Sequence, residues 1–442
     1  EVRKIAGPNA RNIAGFYIPR AGASRAFVQD IRNKNGYPDF STIVLMHEYA
    51  HHFLISSSRF ALPRWMSEGT AEVFAASSFE KDGSVFLGRP AQHRGAELFY
   101  AADVSIEELL DYQLYRENKG RRYDAFYGRS WLLYHYLTFN EARFGSLARY
   151  TGHLFDGKNS LEAAMAAFGD LSQLEKELDA YQRTRNWKAF NLGPDKLRAS
   201  EVTMRRLPKG EAAMMKVRMK SQRGVTRAQA IDLVEDARKV AAKFPNDAGV
   251  LAALAEAEHD AGNDDAAIAA ADKAIASDPT RTNAYVQKGY SLFRKARKAE
   301  DKDAAYKRAM RPFSALNQIE NDHPLPLIYY YRSYTERGEE PPENARHALE
   351  RAGELAPFDQ EIWFQIAVMQ MQEGKIELAK NALRPLANDP HGGGQADRMR
   401  DLVAVLETLP EGEPVDMRRL RDTVRGEEQA SAALDRSPSQ DP

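Results

Sequence analysis

The apolar positions change their period several times along the chain, and each change marks an element. Gly15-Phe16-Tyr17-Ile18-Pro19 and Ala26-Phe27-Val28 are short aromatic and β-branched runs separated by the Gly/Ala/Ser turn around Gly22, which predicts two short strands and a small sheet. From Phe40 to Ile55 the period lengthens. Ile43, Val44, Met46, Ala50 and Phe53 follow helical spacing, with Asp39 or Ser41 as N-cap. Pro63 opens a second helix through Trp65, Met66, Ala71, Val73 and Phe74, because proline fits a helix's first turn, where its missing N–H has no partner to lose. Between Phe79 and Gln92 a Lys-Asp-Gly turn predicts a hairpin. Ser105-Ile106-Glu107-Glu108 has the form of a capping box, and helices dominate from there to about Arg185.

Periodicity weakens over 190–225, a stretch rich in Lys, Arg and Gly that reads as a linker with a small strand pair around Ala213 to Met219. Beyond it the pattern is almost wholly helical and repeats itself. Pro245 and Pro279 stand 34 residues apart, and Pro357 and Pro390 stand 33 apart, the period of tetratricopeptide repeats. With Pro279 at the end of one repeat, Leu254, Ala255, Ala267, Ala271 and Ala274 fall at helix–helix contacts. Tyr285 and Gly289, then Ala345 and Ala352, then Trp363, Ala367 and Ala379 follow in later repeats. About four repeats are expected, with an irregular one near 290–325. From Glu411 the chain is polar, and disorder is expected after about Arg425. The expected domains are 1–190, a linker over 191–225, a repeat domain over 226–410 and a tail over 411–442.

Length agrees with more than one domain: 442 residues exceed one ordinary core. Lys and Arg number 62 against 63 Asp and Glu, so the near-neutral chain gives no electrostatic ground for binding nucleic acid or an anionic membrane. No run of eighteen apolar residues exists, so no membrane span is expected. The first residue is Glu1 rather than methionine, which leads us to expect that the natural N-terminus lies upstream. The absence of cysteine excludes disulfides and thiolate ligands, leaves His and carboxylate for a zinc-like metal, and suits a periplasmic or other extracytoplasmic location.

The chemistry concentrates at His47-Glu48-Tyr49-Ala50-His51. Residues four apart on a helix lie one turn above each other, so His47 and His51 project from one face toward a common ion. Glu48 stands about 100° round the axis, where a carboxylate can take a proton from a metal-activated water; this is the His-Glu-x-x-His logic of zinc hydrolases. A third ligand is needed, and Glu68 follows 17 positions after His51 on a helix able to fold back antiparallel. A carboxylate there also suits the helix dipole with no ligand role, but the setting Trp65-Met-Ser-Glu-Gly-Thr-Ala-Glu72 favours ligation. Glu72, one turn on, either accepts the free ring N–H of a ligating His or is a solvated carboxylate.

A His-Glu-x-x-His helix followed by a Trp-x-x-Glu-Gly helix resembles the gluzincin branch of metallopeptidases, the peptidase MA-like families. The resemblance covers roughly residues 10 to 185 and implies an α+β zincin-like catalytic domain, a small sheet plus helices. It makes Glu68 the third zinc ligand. Tyr127-Gly-Arg-Ser-Trp-Leu-Leu-Tyr-His-Tyr-Leu137 is similar to the tyrosine-bearing segment of the branch that includes aminopeptidases, and by that match Tyr127 donates its phenol O–H to the oxyanion. The exopeptidase motif Gly-x-Met-Glu-Asn is missing; the nearest segment, Gly22-Ala-Ser-Arg-Ala26, has no carboxylate, which argues for endopeptidase action. By the same analogy the strand from Arg25 to Val28 is the sheet edge along the cleft, where an extended substrate pairs. The repeats separately resemble tetratricopeptide arrays, an all-α solenoid, and similar bacterial proteins pair the two modules.

The reading that follows is a zinc endopeptidase, with Zn2+ on His47, His51 and Glu68, Glu48 as base, Tyr127 on the oxyanion and Glu72 behind the ligands. Its substrate is polypeptide, and the repeats present a surface to substrate or to a partner protein. The alternative is a repeat-based interaction scaffold with a latent or non-peptidase metal site. His52, His93, His135 and His153 have no partner at ligand spacing and read as packing or surface residues. Arg129 reads as a solvated or salt-bridged side chain rather than a substrate contact.

Overall fold

A computed structural model of the chain describes residues 15–28, 38–57, 62–119, 123–197, 201, 203–387 and 394–416. The expected disorder after Arg425 lies outside the described residues. The described parts of 1–27 and 200–362 form one compact unit, and those of 28–199 and 363–442 form the other. This departs from the boundaries expected at 190 and 226. Strands β1 (Gly15–Ile18) and β2 (Arg25–Val28) form a two-stranded sheet of their own. By their contacts, residues 15–27 group with the repeat helices. The reason is local. Arg25 Nε donates to Gln222 Oε1 at 3.2 Å, the Ala21 N–H donates to Asp359 Oδ2 at 2.9 Å, and the backbone at Gly22 lies against the Leu325 side chain.

In the second unit α1 (Phe40–Ser57) is capped as expected: Asp39 Oδ1 accepts the Thr42 N–H at 2.9 Å. Helix α2 (Arg64–Ala75) follows with Pro63 at its N-cap. The Lys-Asp-Gly turn joins β3 (Ser78–Phe79) to β4 (Val85–Leu87), pairing Ser78 with Phe86 and Phe79 with Val85. Helices α3 (Gly95–Tyr100), α4 (Ile106–Leu110), α5 (Tyr112–Lys119), α6 (Phe126–Phe139), α7 (Ser146–Phe155), α8 (Ser160–Phe168) and α9 (Leu171–Gln182) come next. Ser105 and Glu108 form the expected reciprocal capping box on α4. Strand β5 (Phe190–Leu192) then pairs antiparallel with β4, completing a three-stranded sheet inside the segment read as the start of the linker. The expected sheet is thus present only as strands of two to four residues, and helices carry the unit.

Both α1 and α6 pack on α2. The approach of α2 to α6 is close enough that a Cβ on Gly69 would stand 2.4 Å from the Ser130 carbonyl oxygen, so only glycine fits. Trp65 is fully buried, and its Nε1–H donates to the Tyr150 hydroxyl at 3.0 Å. That bond and the surrounding core of Phe126, Trp131, Leu132, Leu133 and Phe168 fix the first turn of α2.

The repeat unit and its continuation are helical: α10 (Lys209–Arg223), α11 (Arg227–Lys243), α12 (Ala248–Asp260), α13 (Asp264–Ser277), α14 (Thr282–Ala296), α15 (Lys302–Ile319), α16 (Pro324–Thr335), α17 (Glu343–Leu355), α18 (Gln360–Gln372), α19 (Ile376–Ala387) and α20 (Gly394–Glu407). The strand pair expected around Ala213 to Met219 is part of α10. Gly210, Met214, Val217 and Ser221 are among its buried positions, a helical spacing that the flanking Lys and Arg residues mask. Helices pack in successive pairs, α12 on α13, α14 on α15 and α16 on α17, with α12 also touching α10 and α14. The pairs are the repeats read from the 34-residue period. The extra length near 290–325 is the eighteen-residue α15, which carries Pro312 in its interior.

Candidate metal centre

Helix α1 brings His47 and His51 to the face that meets α2, and α2 returns Glu68 to the same point. Among the described residues, His47, His51 and Glu68 form the group of His, Asp or Glu side chains whose ligand atoms converge, all within 4.8 Å. His47 Nε2 and His51 Nε2 are 3.0 Å apart, and Glu68 Oε2 lies 3.4 Å from the first and 3.3 Å from the second. A tetrahedral ion bound at 2.0–2.1 Å requires ligand atoms about 3.3 Å apart. The triangle therefore fits zinc with almost no rearrangement. The donor set fits as well, since two imidazole nitrogens and a carboxylate oxygen are the ligands of one zinc-hydrolase class. Glu68 keeps 2% of its side-chain surface, whereas His47 and His51 keep 14% and 13%.

The ring orientations are held from behind. His47 Nδ1 lies 3.1 Å from Glu72 Oε1, and His51 Nδ1 lies 3.2 Å from Ser67 Oγ, so each ring turns its Nε2 toward the shared point. Glu72 is fully buried and also accepts from His93 Nε2 at 2.5 Å and from Arg94 Nη2 at 2.5 Å. Burial alone would raise its carboxyl. The hydrogen bonds of His47 and His93 and the charge of Arg94 outweigh burial and hold it well below the usual carboxylate range. Burial likewise works against a charge on His47, but Glu68 and Glu72 together push it up to about 10.

Tyr127, on α6, has its ring centroid 6.4 Å from that of His47. Burial first, and then the negative charge of Glu68, push its phenol up to about 12, so it carries its proton at neutral pH. Two arginines flank it: the Arg94 guanidinium carbon lies 4.8 Å from the ring centre and that of Arg64 5.9 Å. Arg64 also lies 4.0 Å from Glu68 Oε1. Glu48 follows His47 on α1 and is half-buried.

Of the residues singled out in the sequence, His47, His51, Glu68, Glu72 and Tyr127 come together, with Glu48 beside them on α1. His93 is a correction. It reads as a packing or surface residue, yet it is bonded to Glu72. Its signal is absent because it arrives on a 3-10 turn, Gln92–Arg94, with no helical spacing to α1. Ser67, Arg64 and Arg94 also escape a reading of motifs. Ser67 and Arg64 sit on α2 within one turn of Glu68, and that proximity is a usable signal. His135 is buried, its Nε2–H donating to the Gly88 carbonyl at 2.6 Å and its Nδ1 accepting from the Tyr181 hydroxyl at 2.9 Å. Arg129 is buried and paired with Glu175 and Asp179. Both are structural.

No family model matches the chain, and no curated protein matches it. Solved structures do. A thermophilic TPR protein of Thermus thermophilus, TTC0263, is 17% identical with a TM-score of 0.37, over 45% of this chain and 100% of that one. MamA from Desulfovibrio magneticus RS-1 is 18% identical with a TM-score of 0.30, over 46% of this chain and 97% of that one. These likenesses extend over less than half of the chain and say nothing about the His47 site.

Proposed function

We propose that this chain is a zinc-dependent hydrolase of peptide bonds, acting as an endopeptidase. The observation that carries the reading is the 3.0, 3.3 and 3.4 Å triangle of His47 Nε2, His51 Nε2 and Glu68 Oε2. His47, His51 and Glu68 hold the metal. Zinc in such a site supplies Lewis acidity, polarising a carbonyl and lowering the pKa of water toward neutrality. Glu48 takes the proton of the attacking water and delivers it to the leaving amine. Tyr127 donates its O–H to the oxyanion that develops on the scissile carbonyl. Glu72, buttressed by His93 and Arg94, keeps His47 in the Nδ1–H tautomer, and Ser67 orients His51. The missing exopeptidase motif supports cleavage within chains.

The test compares the zinc-loaded chain with Glu48→Gln on unfolded casein. Loss of cleavage by at least about a hundredfold with zinc content unchanged is expected. Equal cleavage by both proteins would remove Glu48 from the mechanism. A second reading, a repeat-based scaffold with a latent metal site, is favoured by the long helical run from α10 to α20. It gains if the zinc-loaded parent cleaves no peptide while a partner protein still binds the repeats.

A further inference from the structure

The first helices of successive pairs, α10, α12, α14 and α16, lie next to one another. Helix α12 touches α10 and α14, and Tyr290 of α14 stands 5.2 Å from Tyr329 of α16. The segment from Gly15 to Phe27 is seated across these first helices. Arg20 Nη2 donates to the Arg223 carbonyl at 3.3 Å at the end of α10, and Arg25 Nε to Gln222 Oε1 one residue earlier. Gly22 is pressed against Leu325 at the start of α16, where an added Cβ would stand 2.9 Å from Cδ1. The Ala21 N–H meets Asp359, which also caps α18 through the Glu361 and Ile362 N–H groups.

The floor beneath is acidic. Glu256 and Asp260 sit one turn apart on α12; Asn283 donates to Glu256 at 3.1 Å and Ser221 to Asp260. Burial and the neighbouring Asp260 push Glu256 up to about 7, with Arg218 and Arg25 opposing; burial also raises Asp260, with Ser221, Arg20 and Arg294 opposing. The two arginines of the segment thus add to Arg218 and Arg294 of the helices in offsetting the charge of these two carboxylates. Within the segment, Phe16 and Phe27 stack on each other at 5.0 Å, and Phe27 is buried.

We propose that the face formed by the first helices of the repeats is a binding site for an arginine-bearing polypeptide segment, and that the chain's own β1–β2 hairpin occupies it in cis. A tethered segment is present at high effective concentration, so it excludes weak ligands and yields to a partner carrying a better-matched segment. The two arginines are the recognition elements, because a bare backbone pairing would not discriminate among partners.

The probe is a fluorescent synthetic peptide of the sequence Gly15 to Val28, added to the full chain and followed by anisotropy. The Arg20→Ala/Arg25→Ala chain, whose cis segment is weakened, is expected to bind it at least tenfold more tightly than the parent. Adding Glu256→Gln and Asp260→Asn to that chain abolishes binding, and a peptide lacking both arginines does not bind. Failure of the peptide to bind the Arg20→Ala/Arg25→Ala chain overturns the proposal. Hydrogen exchange of the unaltered protein gives a reading independent of any variant. Amides of 16–27 are expected to exchange at least a hundredfold faster than those of α12; exchange of both in one cooperative step shows a fixed part of the fold and overturns it.

Discussion

At the scale of the residue, three converging side chains, His47, His51 and Glu68, are held in place by Glu72 and Ser67 behind them. The His47 and His51 pair was legible because helical spacing alone puts two imidazoles on one face. Glu68 was legible from its Trp-Met-Ser-Glu-Gly setting. The support was not: His93 and Arg94 reach Glu72 from a turn whose place in space no local period announces. Their role is testable through Glu72. Glu72→Gln keeps the side chain's shape but weakens the acceptor for His47 Nδ1–H, so zinc affinity is expected to fall about 10- to 100-fold, measured by competition with a chromophoric chelator. An unchanged affinity would make Glu72 a structural carboxylate only. His135 allows a pH prediction away from the site. Burial lowers its imidazole to about 4, against roughly 6.5 in the unfolded chain. The unfolded state therefore binds the proton first, and the stability that neutral His135 contributes is complete above about 6.5 and lost as pH falls through about 4. Urea unfolding between those limits should show that slope, reduced in His135→Gln.

At the scale of the element, α1, α2 and α6 place the site, and their contacts explain residues that carry no chemistry. Glycine at 69 lets α2 approach α6 at the Ser130 carbonyl. Gly69→Ala forces the helices apart in a packed region, with an expected loss of about 1–3 kcal/mol in stability. It also moves Glu68, the adjacent residue, so zinc affinity should fall with stability; a variant that melts earlier yet binds zinc as tightly would show that α1 and α2 alone set the ligand geometry. Helix existence was well read from sequence, including the Asp39 cap and the Ser105 capping box. The strand pair over 213–219 was misread because α10 carries Lys and Arg between its apolar positions and blurs the helical period. Strand β5 was missed because a three-residue strand presents no period at all.

At the scale of the whole molecule, sequence composition divides the chain at a polar linker, whereas contacts divide it by where residues 15–27 are seated. That docking rests on long-range partners, Gln222, Leu325 and Asp359, which no local pattern connects to the β1–β2 hairpin. The 34-residue period announced the helix pairs correctly because each pair buries its apolar face only against its neighbours. The proposed metal site, by contrast, rests on three side chains from two helices and is tested at once by zinc itself. The most direct measurement is calorimetric titration of zinc into the chelator-treated chain and into Glu68→Ala. The account predicts one zinc per parent chain and at least a hundredfold weaker binding in the variant. A parent chain that binds no zinc, or a variant that binds it equally well, contradicts the assignment of His47, His51 and Glu68 as a three-ligand centre.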